Sequence, residues 1–387
     1  MIELKGLTWD HPRGLDGLVA ATREIERTMP DVRVTWDTHS LADFSANPIG
    51  ETVGDYDFVI FDHPFIGDIA RDGVMLDLSQ HLDARFLAEL ELDAVGFGVE
   101  IYRNEAGLWA LPVDAACQVA AFRPDLCARA GLTALELRAL PLPEIIARLN
   151  EAGLKLAISF GGVGSIMSFF TICYKLGAPP FAEGMMVPPQ IGREAVATMY
   201  AILEASPREV LDWISITVFE EMAKRDDLAF CPYIFGFSAY SMDAYGAVDG
   251  RHPLVFNASP GPQEGRIPGG IIGGAGVGIS AKTNHPKEAA VFLQALNGRQ
   301  AHITNAANLG QPGRRSTWQD PEINRLSRDF YRNTLDDIDH GYIRPRDPGF
   351  VRKQDAAGDR LEHHLRKGSD ADTILADDGR RSHDGHP

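Results

Sequence analysis

The spacing of apolar positions changes repeatedly along the first hundred residues. IELKGL is a short apolar run with strand character. After the loop GLTWDHPRG, Leu15, Leu18, Val19, Thr22 and Ile25 recur every three or four residues, which predicts a helix that Pro30 closes. VRVTW (32–36) alternates and predicts a strand. DFVIFD (57–62) is a continuous β-branched and aromatic run between acids, the pattern of a strand buried on both faces. It runs into DHPFIGD, and a short helix with Ile69 and Met75 nearby follows. Strand–helix–strand–helix order predicts a parallel α/β sheet. Ligands of such sheets gather at the carboxyl ends of the strands, where GLTWDHPRG and DHPFIGD fall.

Residues 101–122, IYRNEAGLWALPVDAACQVAAF, predict two strands around a NEAG turn and then a longer crossing strand. A second alternation follows. It has helices near 143–151 and 165–177, the strand KLAIS (155–159) running into FGGVGS, helices near 192–205 and 208–224, and the strand LAFC (228–231). PLVFNAS (253–259) and GGIIGGAGVGIS (269–280) read as strands, and three amphipathic helices start at PKEAA, PEINR and FVRKQ. The polar end, ADDGRRSHDGHP (376–387), reads as a disordered tail. No low-complexity tether separates the halves, so two α/β lobes joined by crossing strands form a hinged clamshell.

Composition narrows the function classes. The 387 residues are 44% hydrophobic, enough for two lobes, and carry a net charge of -17. A negative surface repels phosphate backbones and anionic headgroups, which speaks against nucleic acid and membrane surfaces as partners. The longest apolar run, near 156–174, is broken by glycines and serines, so membrane insertion is not expected. The start has neither the basic nor the apolar region of a secretory signal, and the chain reads as cytoplasmic or as the mature part of an exported protein. Cys117, Cys127, Cys173 and Cys231 show no CxxC spacing and read as buried free thiols.

Few motifs specify chemistry. FGGVGS and GGAGVGIS match neither GxGxxG in a first strand–turn–helix unit nor GK[ST], so no nucleotide cofactor is expected. The second segment fits a bulge or close backbone approach within a strand. FGGVGS lies between strand and helix, where its amides either donate to an anion or hydroxyl or only make a turn. No zinc spacing occurs, and although His11 and His63 both stand between Asp and Pro, a joint metal site lacks a third ligand. There is no GxSxG and no cysteine in an electropositive frame, which speaks against nucleophilic catalysis. Asp10, Asp62 and Asp114 can face one cleft, either as paired carboxylates of a hydrolase or as acceptors for ligand hydroxyls. Trp9, Phe65, Trp109, Phe160, Tyr233, Phe235 and Tyr240 lie in or beside the predicted loops, and sugar sites combine such flat faces with carboxylate and Arg forks.

The order of these segments is recognisable. DYDFVIFDHPFIGDIARDGVMLDLSQHL, GLWALPVDAACQVAAFRPDLCARAGL, IIGGAGVGISAKTNHPKEAAVFLQAL and NLGQPGRRS together resemble the extracellular solute-binding proteins of ABC importers, in the family 1 cluster that includes sugar binders. The resemblance spans most of the chain. It implies an α/β, two-lobed periplasmic-binding-protein-like clamshell of type II, each lobe a mainly parallel sheet flanked by helices. The first lobe would take residues 1–113 and 257–308, the second 114–256 and 309–375. It implies a monomer without enzymatic activity that closes on a sugar, polyol or small organic acid and hands it to a permease, in the periplasm. A cytoplasmic solute sensor is the alternative, and a hydrolase with paired carboxylates a further one. The implied ligand residues are Trp9, Asp10, His11 and Arg13; Asp62 and His63; Asp114; Phe160 and Gly161; Tyr233; and Gly273 with Gly274. Ala275 stands where many sugar-binding members carry an aromatic, which removes one stacking face.

Overall fold

The computed structural model describes residues 1–41, 44, 53–181 and 186–376; the expected tail after 376 lies outside them. Ten strands are present among these residues: β1 (Ile2–Trp9), β2 (Val32–His39), β3 (Phe58–Asp62), β4 (Arg103–Asn104), β5 (Gly107–Leu108), β6 (Leu111–Phe122), β7 (Lys155–Leu156), β8 (Leu228–Phe235), β9 (Val255–Asn257) and β10 (Ile272–Ile279). Apart from the β4–β5 hairpin they form one path, β2-β1-β3-β10-β6-β8-β7, with β9 also on β6. The predicted parallel set is there: β1 runs parallel to β2 and β3, and β7 to β8. The antiparallel pairs are β3–β10, β10–β6, β6–β8 and β6–β9.

The crossing strand is β6. Its first half, to Cys117, pairs with β10, and its second half, from Gln118, pairs with β8 and β9. Nearly all of β6 is buried, which explains why its sequence is apolar on both faces. The DFVIFD run behaves the same way: Phe58 to Phe61 are all buried, each such side chain contributing roughly 1.5–3 kcal/mol. All four cysteines are free and buried, and burial raises the thiols above their ordinary value.

Three departures from the sequence expectations shape the cleft. KLAIS pairs as a strand only at Lys155–Leu156, because the chain then turns so that the Phe160 amide donates to the Val210 carbonyl (3.1 Å). LAFC does not stop at Cys231 but continues to Phe235, with Pro232 tolerated where the β6–β8 register shifts. The helix expected near 208–224 is split into a 3-10 turn, Arg208–Leu211, and a helix, Ser215–Lys224. The break occurs where the Trp213 carbonyl accepts from the Gly161 amide (3.0 Å) and the Ser159 hydroxyl (3.1 Å).

Candidate ligand-binding cleft

Strand register builds the floor of the cleft. Ala275 of β10 lies opposite Asp62 of β3 on one side and Asp114 of β6 on the other. Two carboxylates therefore flank one methyl group in a single row across three strands. The bulge that follows Ala275 and the conformation of Gly274 (φ 104°) hold this row. A Cβ on Gly274 would meet the Asp114 carbonyl at 2.5 Å, and one on Gly273 would meet the Phe235 ring at 2.7 Å. The glycine pair thus lets β10 approach both neighbours, the close-approach reading of that segment.

Each carboxylate has its own guanidinium. Arg13 grips Asp114 through two bonds, Nε to Oδ2 (2.7 Å) and Nη2 to Oδ1 (2.6 Å), and donates Nη1 to the Gly236 carbonyl (2.9 Å). Its guanidinium lies 4.2 Å from the Phe237 ring centroid. Arg344 donates Nη2 to Asp62 Oδ2 (2.5 Å) and Nη1 to Gln354 Oε1 (3.1 Å). Burial alone would raise the Asp62 carboxyl, but Arg344 and His63 outweigh it and hold the group at about 2. At Asp114 burial dominates and raises the carboxyl despite Arg13, with Asp62 adding to the rise.

GLTWDHPRG turns from β1 into the helix Pro12–Glu26, and its residues divide the work. Trp9 ends β1 and lays its indole on Gly14, where a Cβ would meet the ring at 2.4 Å. The Trp9 Nε1 is buried without a hydrogen-bond partner among the described residues. Arg13 enters the cleft from the first turn of the helix. His11 caps that helix: its Nδ1 accepts from the Arg13 amide (3.0 Å). Accepting requires the neutral ring, and burial with the adjacent Arg13 depresses its pKa to about 4.

The cleft has two connected parts. The first, lined by Trp9, Arg13, Asp62, Asp114, Ala275 and Arg344, has about 130 Å³ of room for water. The second has about 380 Å³ and is lined by Gln118, the Gly161–Gly164 turn, Ser159, Asp355 and Asp359 among others. Leu41, Val163, Met167, Ser215 and Phe235 belong to both. Phe235 supplies an aromatic face that Ala275 does not.

Of the residues expected from sequence, Trp9, Arg13, Asp62, Asp114, Gly161, Gly273 and Gly274 line this cleft. Five do not. Asp10 is exposed outside it, and His11 is the helix cap packed edge-on to Phe237. His63 is fully buried beneath Asp62, to which its amide donates (2.8 Å). Phe160 is fully buried in the core, and Tyr233 is held inside by its hydroxyl bond to the Pro260 carbonyl (3.2 Å). Phe235, two residues on at the strand end, stands where Tyr233 was expected. Gln118, Arg344, Gln354, Asp355 and Asp359 were not singled out, since polar residues on a buried strand, a loop and an amphipathic helix carry no spacing signal. The one available hint was RPRDPG (344–349), where two prolines stiffen a loop that presents arginines.

Two α/β lobes bridged by crossing strands, with a polar cleft at the strand ends, define the type II periplasmic-binding-protein fold. The chain is similar to maltose-bound MalE3 of T. maritima (TM-score 0.82, 16% identity, 97% of each chain covered). It is similar also to an ABC transporter solute-binding protein of Agrobacterium radiobacter K84 in complex with ribitol (TM-score 0.76, 20% identity, 97% of each chain). A third similar structure is UgpB of Mycobacterium tuberculosis with glycerophosphocholine (TM-score 0.75, 16% identity, 98% of this chain and 97% of that one). No family model and no curated protein sequence matches the chain. At these identities the likeness establishes the fold.

Proposed function

We propose that the cleft binds a small polyhydroxylated solute by closure of the two lobes and presents it to an ABC permease, without chemical turnover. The observation that carries this reading is the row Asp62–Ala275–Asp114 with its two arginines. Each carboxylate keeps lone pairs beyond those its arginine uses, and these accept from ligand hydroxyls. Among the described residues, Trp9 Nε1 and Arg344 Nε are buried donors without partners, and Gln118 Oε1 is a buried acceptor without one. A chain of hydroxyls, each both donor and acceptor, satisfies all of them. A carboxylate ligand fits less well, because both guanidiniums already hold aspartates. The similar structures named above have maltose, ribitol and glycerophosphocholine as ligands, which supports the same class here.

Binding both lobes at once favours the closed state by the differential affinity of the ligand for it. Delivery to a permease places the protein outside the cytoplasmic membrane; among the described residues no helix is long and apolar enough to cross a membrane. One observation favours a hydrolase instead: the Asp62 and Asp114 pKa values are pushed apart, as in acid–base pairs. Against it, Arg13 engages both oxygens of Asp114, so a proton there would have to displace the guanidinium.

Melting curves with a panel of hexoses, disaccharides and pentitols test the proposal. It requires at least one panel member to raise the melting temperature and to be recovered unchanged. Flat curves across the panel would refute binding, and release of product that stops with Asp114→Asn would replace it with catalysis.

A further inference from the structure

Charge is not balanced in the cleft. Among the described residues, two guanidiniums, Arg13 and Arg344, line it against four carboxylates, Asp62, Asp114, Asp355 and Asp359. The first two carboxylates are matched. Asp355 and Asp359 lie four residues apart on the helix Phe350–Lys367 and both line the second part of the cleft. Like charges at this spacing repel. Neither aspartate makes an ion pair with a lysine or arginine among the described residues. Arg344, whose charge reaches Asp355, is held by Asp62 and Gln354. Among the described residues, the one hydrogen bond to the Asp355 carboxylate comes from Gln354 Nε2, at 3.3 Å.

A second feature points into the same space. Gln118 on β6 is 3% exposed, lines this part of the cleft, and leaves Oε1 without a partner among the described residues. A buried acceptor and two unmatched carboxylates together ask for a donor that carries positive charge. Burial pushes the Asp355 carboxyl up from its ordinary value, against the Gln354 bond, and Asp359 adds to that push. A cation placed there would relieve the repulsion.

We infer that the solute is a polyol or sugar bearing a protonated primary or secondary amine, with its hydroxyls on the Asp62–Asp114 row and its ammonium among Gln118, Asp355 and Asp359. This rests on the polyol reading above and specifies its substrate class. Among the described residues, Phe235 is the one aromatic ring that lines this part. An ammonium with N–H donors therefore suits it better than a quaternary ammonium, which is held by a cage of several rings.

The test compares matched probes on the intact protein by calorimetric titration and melting curves: D-glucosamine against D-glucose, N-methyl-D-glucamine against D-sorbitol, and choline alone. The amino probe of at least one pair should bind about tenfold or more tightly than its neutral partner, each tenfold step being about 1.4 kcal/mol. That preference, read as the ratio of the two affinities on the same variant, should disappear in D355N/D359N. Equal affinities within both pairs, a preference that survives D355N/D359N, or choline binding as tightly as the amino-polyols would each overturn the inference and leave polyol binding standing. Binding of none of these probes, together with a flat sugar and pentitol panel, would overturn both. The circular dichroism spectrum of the variant must match the parent, and D355N alone, with half of the preference lost, serves where the double variant does not fold.

Discussion

The two parts of the cleft treat charge in opposite ways. Around the Asp62–Ala275–Asp114 row, every carboxylate is held by a guanidinium, and those guanidiniums are fixed by Gly236, Phe237 and Gln354. Along the helix Phe350–Lys367, Asp355 and Asp359 stand beside open space with no such partner among the described residues. The first part is stabilised before any ligand arrives, so its geometry is set in advance. The second holds its charges at some cost to stability. On the proposed reading, preorganisation falls to the Asp62–Ala275–Asp114 row and selection among solutes to the unmatched pair.

Breaking the matched half should have the largest effect. Arg13→Ala leaves Asp114 buried without its counter-charge, and urea unfolding should show a loss of about 3–5 kcal/mol. The double variant Arg13→Ala/Asp114→Ala should recover part of that loss, because no lone charge stays buried. Gly274→Ala attacks the same row through the backbone. With φ at 104° and the Asp114 carbonyl 2.5 Å from the added Cβ, it should cost about 1–3 kcal/mol and lower affinity for the polyol panel.

Acid separates the halves as well. His11 and His63 lie under the matched half and are held at about 4 by burial, each opposed or aided by its charged neighbours. Their ordinary value is 6.5, so between that value and about 4 the unfolded chain binds protons the folded chain does not. Stability must then fall as pH falls, by roughly 2 kcal/mol for each of the two at pH 5. Asp62, held at about 2, adds to the loss only below the ordinary carboxylate range, and Asp114, raised, works the other way. Melting at pH 7 and pH 5 measures this, and His63→Gln should reduce the pH dependence. The unmatched half should give the smallest effect on folding. Asp355→Asn should leave stability unchanged or raise it by about 0.2–0.5 kcal/mol, since it removes a like-charge pair on one helix face.

The matched half was also the more legible in sequence. Trp9 and Asp62 end β1 and β3, and Arg13 follows β1 in the first turn of the next helix, where a parallel α/β pattern places ligands; Asp114 lies inside β6, near the start of the crossing strand. The fold was legible for the same reason: long apolar runs such as DFVIFD and the crossing strand survive any uncertainty about their exact ends. Side-chain direction was not. Asp10 and His11 follow Trp9 directly, yet one faces solvent and the other caps a helix, a distinction set by two backbone dihedrals. Tyr233 and Phe235 are two residues apart on β8, so alternation could not tell that Phe235 lines the cleft while Tyr233 bonds the Pro260 carbonyl inside. Arg344 comes from a loop 282 residues from its partner Asp62, and such a contact leaves no local trace.

The central claim is that a polyhydroxylated solute is held between the lobes and draws them together. Small-angle X-ray scattering with and without a saturating concentration of the most stabilising panel member tests it directly. The account predicts a smaller radius of gyration with ligand, and no change on adding the same ligand to an Arg344→Ala variant that has lost its affinity. An unchanged radius for the parent protein at saturation would contradict it.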